Sequence, residues 1–153
     1  CTTTRCRTTS RTSSPRRGCT DVLTGGCHCG SVRYETADEP FERALCHCEL
    51  CRRTTGAPAV GWFTVRESTL RLTGEPVSYA SSEHAVRTFC GRCGTQITFK
   101  DAAYGDRIDL TTASLDDPEA APPVEQIWVK SRLHWMADAH ALPDDLERRP
   151  TEA

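Results

Sequence analysis

Ala85-Val86-Arg87-Thr88-Phe89-Cys90-Gly91-Arg92-Cys93-Gly94-Thr95-Gln96-Ile97-Thr98-Phe99 sets the fold in one stretch. Two β-prone runs flank a pair of cysteines two residues apart, with glycine after each cysteine. Alternating and β-branched runs of this length are strand signals. Glycine relieves the crowding that a tight turn around two sulfurs would otherwise create. The stretch therefore predicts strand, metal knuckle, strand. Working outward, Cys27-His28-Cys29-Gly30 offers a second pair, and Cys46-His47-Cys48-Glu49-Leu50-Cys51 offers a triplet. The ligands thus come as two, three and two. A structural zinc takes four thiolates or imidazoles, whereas a catalytic zinc takes three and keeps one position open. Two plus two closes one site, and the triplet is left with an open fourth place.

The chain has 153 residues, enough for one domain around one hydrophobic core. Ten cysteines is far above ordinary usage and leaves a choice between a disulfide framework and a metal framework. Cysteines one or two residues apart rarely meet disulfide geometry, and seven clustered thiols would strand one. The spacing favours zinc. No run approaches the roughly 20 apolar residues that span a bilayer, so no membrane segment is expected. The first twenty residues lack the apolar core of a secretory signal. Many thiols without an export signal point to a reducing, cytoplasmic setting. The net charge of −2 is uneven, because the first twenty residues hold five arginines and no acid, which leaves −7 for the rest. An acidic domain is a poor holder of a phosphate backbone, so nucleic acid is not an expected partner.

Residues 1–20 are mostly Ser, Thr, Arg and Cys. Such a segment cannot bury enough surface to offset its ordering entropy, and the expectation is a disordered leader. That expectation extends to its being non-native, upstream sequence read through a misplaced start, with Cys1, Cys6 and Cys19 incidental. Strands are expected at 30–35, 59–65, 69–73, 77–79, 85–89, 95–99, 107–112 and 126–129. Helical periodicity is scarce: Glu49 to Thr54 reads as one turn, and 116–123 reads as a loop. The folded domain is placed at 21–146 and a polar tail at 147–153. The fold class is a single, mainly antiparallel β domain with few or no long helices and its cysteine pairs at strand ends and turns.

Within the triplet, Cys46, Cys48 and Cys51 can converge on one ion from a short loop. Water, a substrate thiol, or His47, His84 or His134 could complete it. His47 lies between two ligands and is expected to point away. Cys27 and Cys29, if on a strand, would aim to one side, since residues i and i+2 share a face. Arg52 and Arg53 could offset thiolate charge or, with Lys130, bind carboxylates of an incoming ligand. Trp62, Phe63, Trp128 and Trp135 are candidate pocket walls.

These motifs carry a resemblance. Gly26-Cys27-His28-Cys29-Gly30-Ser31-Val32-Arg33-Tyr34-Glu35, Cys46 to Gly56 and Phe89 to Thr95 resemble, in order and spacing, the three signatures of the glutathione-dependent formaldehyde-activating enzyme family, grouped with centromere protein V. Leu115-Asp116-Asp117-Pro118, Ile127-Trp128-Val129-Lys130 and Trp135 resemble its C-terminal pattern. The resemblance implies a β-tent of stacked antiparallel sheets. It implies a structural zinc on Cys27, Cys29, Cys90 and Cys93 and a labile one on Cys46, Cys48 and Cys51, hence two Zn²⁺ per chain. The implied activity is a carbon–sulfur lyase that forms S-(hydroxymethyl)glutathione from formaldehyde and glutathione. Where the family often has histidine before Ile127, this chain has Gln126.

The expected chemistry is attack of a metal-bound thiol on formaldehyde. The same site fits other small thiols. A non-catalytic zinc-binding interaction module is the alternative, and it requires a closed second site. Nothing in the residues sets the oligomeric state.

Overall fold

The computed structural model describes residues 22–143. The arginine-rich leader and the 147–153 tail lie outside the described residues. Ten strands form. They are β1 (Leu23–Gly26), β2 (Arg33–Thr36), β3 (Glu42–Cys46), β4 (Val60–Val65), β5 (Leu70–Thr73), β6 (Pro76–Ala80), β7 (Ala85–Cys90), β8 (Gln96–Asp101), β9 (Ile108–Thr111) and β10 (Glu125–Ile127). Among the described residues the one α-helix is α1 (Glu49–Thr55), and the remaining helical turns are short 3₁₀ pieces. The protein is mainly β, in two sheets: β1-β2-β5, and β10-β3-β4-β9-β8-β7-β6.

Every named strand pair is antiparallel except β10 with β3, which run parallel through Glu125↔Ala44 and Ile127↔Cys46. The domain is thus mainly antiparallel, as expected, with this one parallel pair. The chain leaves β9 through a long connection and returns beside the strand that ends in Cys46. The strand expected at 126–129 stops at Ile127, because Trp128 has a left-handed backbone (φ 57°), which a strand cannot continue through.

β4 is buried along most of its length, since it is central to its sheet and covered on both faces. Phe63 and Val65 point into the space between the sheets, where they meet Val32, Tyr34, Ile97, Ile108, Leu110 and Leu115. Burying a side chain such as Phe63 (0 % exposed) contributes about 1.5–3 kcal/mol. Trp62 points the other way and packs with Cys46, Cys51 and Val60. The small sheet is held on by Asp116, which takes bonds from Arg33 and from Thr24 Oγ1 (2.7 Å).

Cross-strand register builds one row on the outer face of the large sheet. Glu42 faces Thr64, Thr64 faces Asp109, Asp109 faces Phe99, and Phe99 faces Arg87. Directly opposed residues share a face, so these five line up on one side. A bulge between β7 and β8 makes this possible. Thr88 pairs with Thr98 but Phe89 pairs with Gln96, which leaves Ile97 as the extra residue. Ile97 enters the main core while Phe99 turns to the outer row, an inversion strict alternation would forbid.

Candidate functional site

Two equivalent turns bring the outer cysteines together. In the β1–β2 turn, Cys27 N–H donates to Val32 O (2.9 Å) and Gly30 N–H to Cys27 O (3.0 Å). In the β7–β8 turn, Cys90 N–H donates to Thr95 O (2.9 Å) and Gly94 N–H to Cys90 O (2.8 Å). Gly30 (φ 76°) and Gly94 (φ 78°) supply the left-handed residue that each turn requires. Cys27 and Cys29 therefore converge through a turn rather than through the pleat of a strand. Val32 N–H donates to Cys27 Sγ at 3.2 Å, the amide-to-sulfur bonding expected of a knuckle. Cys29 Sγ lies 3.6 Å from Cys27 Sγ and 3.7 Å from Cys90 Sγ. A tetrahedron with Zn–S of about 2.3 Å places its sulfurs roughly 3.8 Å apart, whereas a disulfide needs about 2.05 Å. Cys27, Cys29, Cys90 and Cys93 have their sulfurs mutually within 4.8 Å, so this set could hold a metal ion. The hydrogen bond with Thr95 lowers the Cys93 thiol to about 5.

The triplet is assembled at a strand-to-helix junction. Cys46 ends β3, Cys48 caps α1 in an extended conformation (φ −64°, ψ 151°), and Cys51 lies in the first helical turn. Cys48 Sγ accepts the Cys51 N–H at 3.3 Å, so one sulfur serves as both helix cap and candidate ligand. The three sulfurs lie mutually within 4.8 Å, and among the described residues no histidine, carboxylate or further thiol joins them. The hydrogen bond with Cys46 lowers the Cys51 thiol to about 5, and Arg87 adds to the effect. Cys46 is raised in return, through that same contact and through burial, and Cys48 is raised chiefly by burial. The trio already favours a thiolate at Cys51.

These sulfurs open into a cavity of about 560 Å³. Cys46, Cys48, Leu50 and Cys51 form one end, and Trp62, Phe99, Ile127 and Trp128 supply apolar wall. Its volume lies within the roughly 300–1,000 Å³ of small-molecule sites. Trp62 and Trp128 take wall positions, whereas Phe63 is sealed in the main core and Trp135 does not line the cavity. Arg52 and Arg53 do not line it either: Arg53 Nε bonds Glu49 at 2.8 Å across one helical turn. Lys130 sits over the Trp128 ring, 5.3 Å from its centroid, outside the lining. His47 is 1 % exposed and bonds Gln126 Oε1 through Nε2 at 2.9 Å, away from the sulfurs. Gln126 thus has a structural task where the family pattern has histidine.

Two residues not singled out in the sequence belong to this site. Arg87 is 3 % exposed, donates from Nη2 to Cys51 Sγ (3.6 Å), and lies over the rings of Phe99 (4.6 Å) and Trp62 (5.8 Å). Its signal was an arginine at a position that alternates with exposed Val86, with Ala85 two residues before it on the same, buried side. Asp109 accepts from Thr64 Oγ1 at 2.6 Å, and burial raises its carboxyl above the ordinary range. It too breaks an apolar alternation, Ile108-Asp109-Leu110, but in a strand covered on both faces either parity looks buried.

The family profile described as "GFA: Glutathione-dependent formaldehyde-activating enzyme" matches residues 22–131. A Halomonas elongata protein provisionally named glutathione-dependent formaldehyde-activating enzyme is 29% identical over 129 residues, covering 76% of each chain. A Schizosaccharomyces pombe protein named as an uncharacterized lyase is 31% identical over 75 residues, 49% of this chain and 55% of its own, so the match spans about half of that relative. A crystal structure of a Rhodobacter sphaeroides protein is similar with a TM-score of 0.52 at 26% identity, over 67% of this chain and 98% of the other.

Proposed function

The chain belongs to the glutathione-dependent formaldehyde-activating enzyme family, and from that premise we propose that it joins formaldehyde to a small thiol, or releases it, as a carbon–sulfur lyase. The thiol named by the family is glutathione, and the adduct is S-(hydroxymethyl)glutathione. Two Zn²⁺ per chain complete the reading, a structural one on Cys27, Cys29, Cys90 and Cys93 and a reactive one on Cys46, Cys48 and Cys51. The observation that carries it is the triplet: three sulfurs at the end of a small-molecule cavity, joined by no histidine, carboxylate or further thiol among the described residues. A reducing cytoplasm, which keeps thiols free, suits this chemistry.

A zinc ion held there supplies Lewis acidity that lowers the pKa of an incoming thiol. The chain's residues supply the rest. Trp62, Phe99 and Ile127 give the cavity an apolar wall. Arg87, fixed on Phe99 and Cys51, sets a positive charge beside the sulfurs, where it favours thiolate over thiol and can donate to an oxygen that gains charge. The balance is simple: a sulfur–carbon bond forms, the carbonyl π pair moves to oxygen, and the proton lost by the thiol is matched by one gained by that oxygen. Adduct formation followed by NMR, with and without protein and with Cys48→Ser, tests the proposal. Protein-accelerated exchange that Cys48→Ser abolishes is the expected result; equal rates in all three would overturn it.

A further inference from the structure

The charges around the cavity say which end of a thiol it accepts. Its lining holds five carboxylates, Glu42, Glu49, Asp101, Asp109 and Glu125, against one cation, Arg87. Glu42 is paired with Arg107 and Glu49 with Arg53. Among the described residues, Asp101, Asp109 and Glu125 have no ion-pair partner. Arg87 is already committed to Cys51 and the two aromatic rings, yet its Nε and Nη1 are buried with no acceptor. A divalent ion on three thiolates carries −1, which Arg87 cancels. The sulfur end is then neutral overall, and the remaining carboxylates set the field that an entering ligand meets.

Asp109 is best placed to use that field. It sits in the outer row with Phe99 directly between it and Arg87. Two strand spacings separate the Asp109 and Arg87 backbones, roughly 9.5 Å. Thr64 holds Oδ1. A ligand whose sulfur lies at the triplet would extend its far end along this wall toward Asp109. Arg52, Arg53 and Lys130, the cations that could have received carboxylates, do not line the cavity.

We propose that this cavity selects a small aminothiol, a thiol whose far end is an ammonium, with Asp109 as the specificity-determining residue, and that it disfavours thiols ending in carboxylates. The proposal rests on the reading that a thiol enters here, and names its class. Glutathione, with two carboxylates and one ammonium, is then a weaker ligand than a simple cationic thiol.

Isothermal titration of zinc-loaded protein with three near-isosteric thiols tests it: cysteamine (cationic), 2-mercaptoethanol (neutral) and 3-mercaptopropionate (anionic), with glutathione alongside. The expected order is cysteamine, then 2-mercaptoethanol, then 3-mercaptopropionate, with about tenfold or more between first and last, and glutathione weaker than cysteamine. Asp109→Asn should narrow that ratio severalfold. Should Asp109→Asn not fold, ionic strength replaces it. Raising salt from about 0.01 M to about 1 M cuts the screening length from roughly 30 Å to 3 Å and should compress the same ratio. Equal or reversed affinities of cysteamine and 3-mercaptopropionate, or a ratio unmoved by both Asp109→Asn and salt, would overturn the charge selection and leave the thiol reading standing. No binding by any of the four would overturn both.

Discussion

Replacing Arg87 with methionine isolates the electrostatic support of the triplet. Methionine fills much of the same space between Trp62 and Phe99 without charge or N–H donors. In the native chain the guanidinium Nη2 lies 3.6 Å from Cys51 Sγ. Two unit charges about 4 Å apart at an effective dielectric of 20 interact with about 4 kcal/mol. That is an upper bound here, because the net −1 of a divalent ion on three thiolates is spread over the ion and all three sulfurs rather than concentrated on Cys51. Burying Arg87 also has a desolvation cost of several kcal/mol, which its removal refunds in every state of the triplet. The differential effect on metal binding is therefore smaller, in the range where partners of ligand atoms typically act, about 10–100-fold in affinity. The assay is zinc competition with a chromophoric chelator, in which tightly and loosely held metal separate as two phases. Arg87→Met is expected to weaken only the loose phase, by about 10–100-fold, and Arg87→Lys by less because it keeps the charge. Unchanged loose-phase affinity in Arg87→Met, with the native fold retained by circular dichroism, would refute the reasoning.

Three further outcomes follow from the same contacts. Cys93→Ser removes one of four converging sulfurs, and because structural zinc carries on the order of 10–16 kcal/mol of apparent binding energy, the variant should be largely unfolded by circular dichroism at 37 °C; a native melting profile would contradict a structural ion there. Asp109 is raised by burial, so the folded state holds its proton more tightly than the unfolded state, and its contribution to stability is full below the unfolded pKa of about 4 and lost as pH rises through the folded value. Asp109→Asn should accordingly melt higher than the native protein at pH 7, with the gain vanishing near about pH 4; a lower melting temperature at pH 7 would show that the charge is compensated. Gln126→Ala leaves His47 buried with no partner for Nε2 and should cost about 1–3 kcal/mol in urea unfolding; no loss would mean that water replaces the amide.

Much of the β framework was legible because it rests on local alternation. The runs at 59–65, 69–73, 85–89 and 95–99 fall on β4, β5, β7 and β8 within one or two residues. Two strands escaped. β1 (Leu23–Gly26) carries two glycines, and β3 (Glu42–Cys46) reads Glu-Arg-Ala-Leu-Cys, residues without β preference. β3 becomes a strand through its neighbours, β4 on one side and β10 on the other. Sheet order, the parallel β10–β3 pair and the Ile97 bulge depend on distant segments and leave no local trace. The cysteine grouping was legible because metal ligands must come in sets at short spacing. The cations at the site were not. Arg52 and Arg53 drew attention by adjacency, but the helix turns Arg53 outward to Glu49. Arg87, thirty-six residues from Cys51, reaches it through the row Phe99–Arg87 that only the sheet creates.

The account turns on whether the triplet holds a metal with a place open to a thiol. Zinc-edge X-ray absorption on the purified protein, before and after adding a small thiol, addresses this directly. Two zinc ions per chain with an average of about 3.5 sulfurs each, rising to about 4 on addition of the thiol, is the predicted result. One zinc per chain that resists loading of a second, or a sulfur count that does not change when thiol is added, would contradict it.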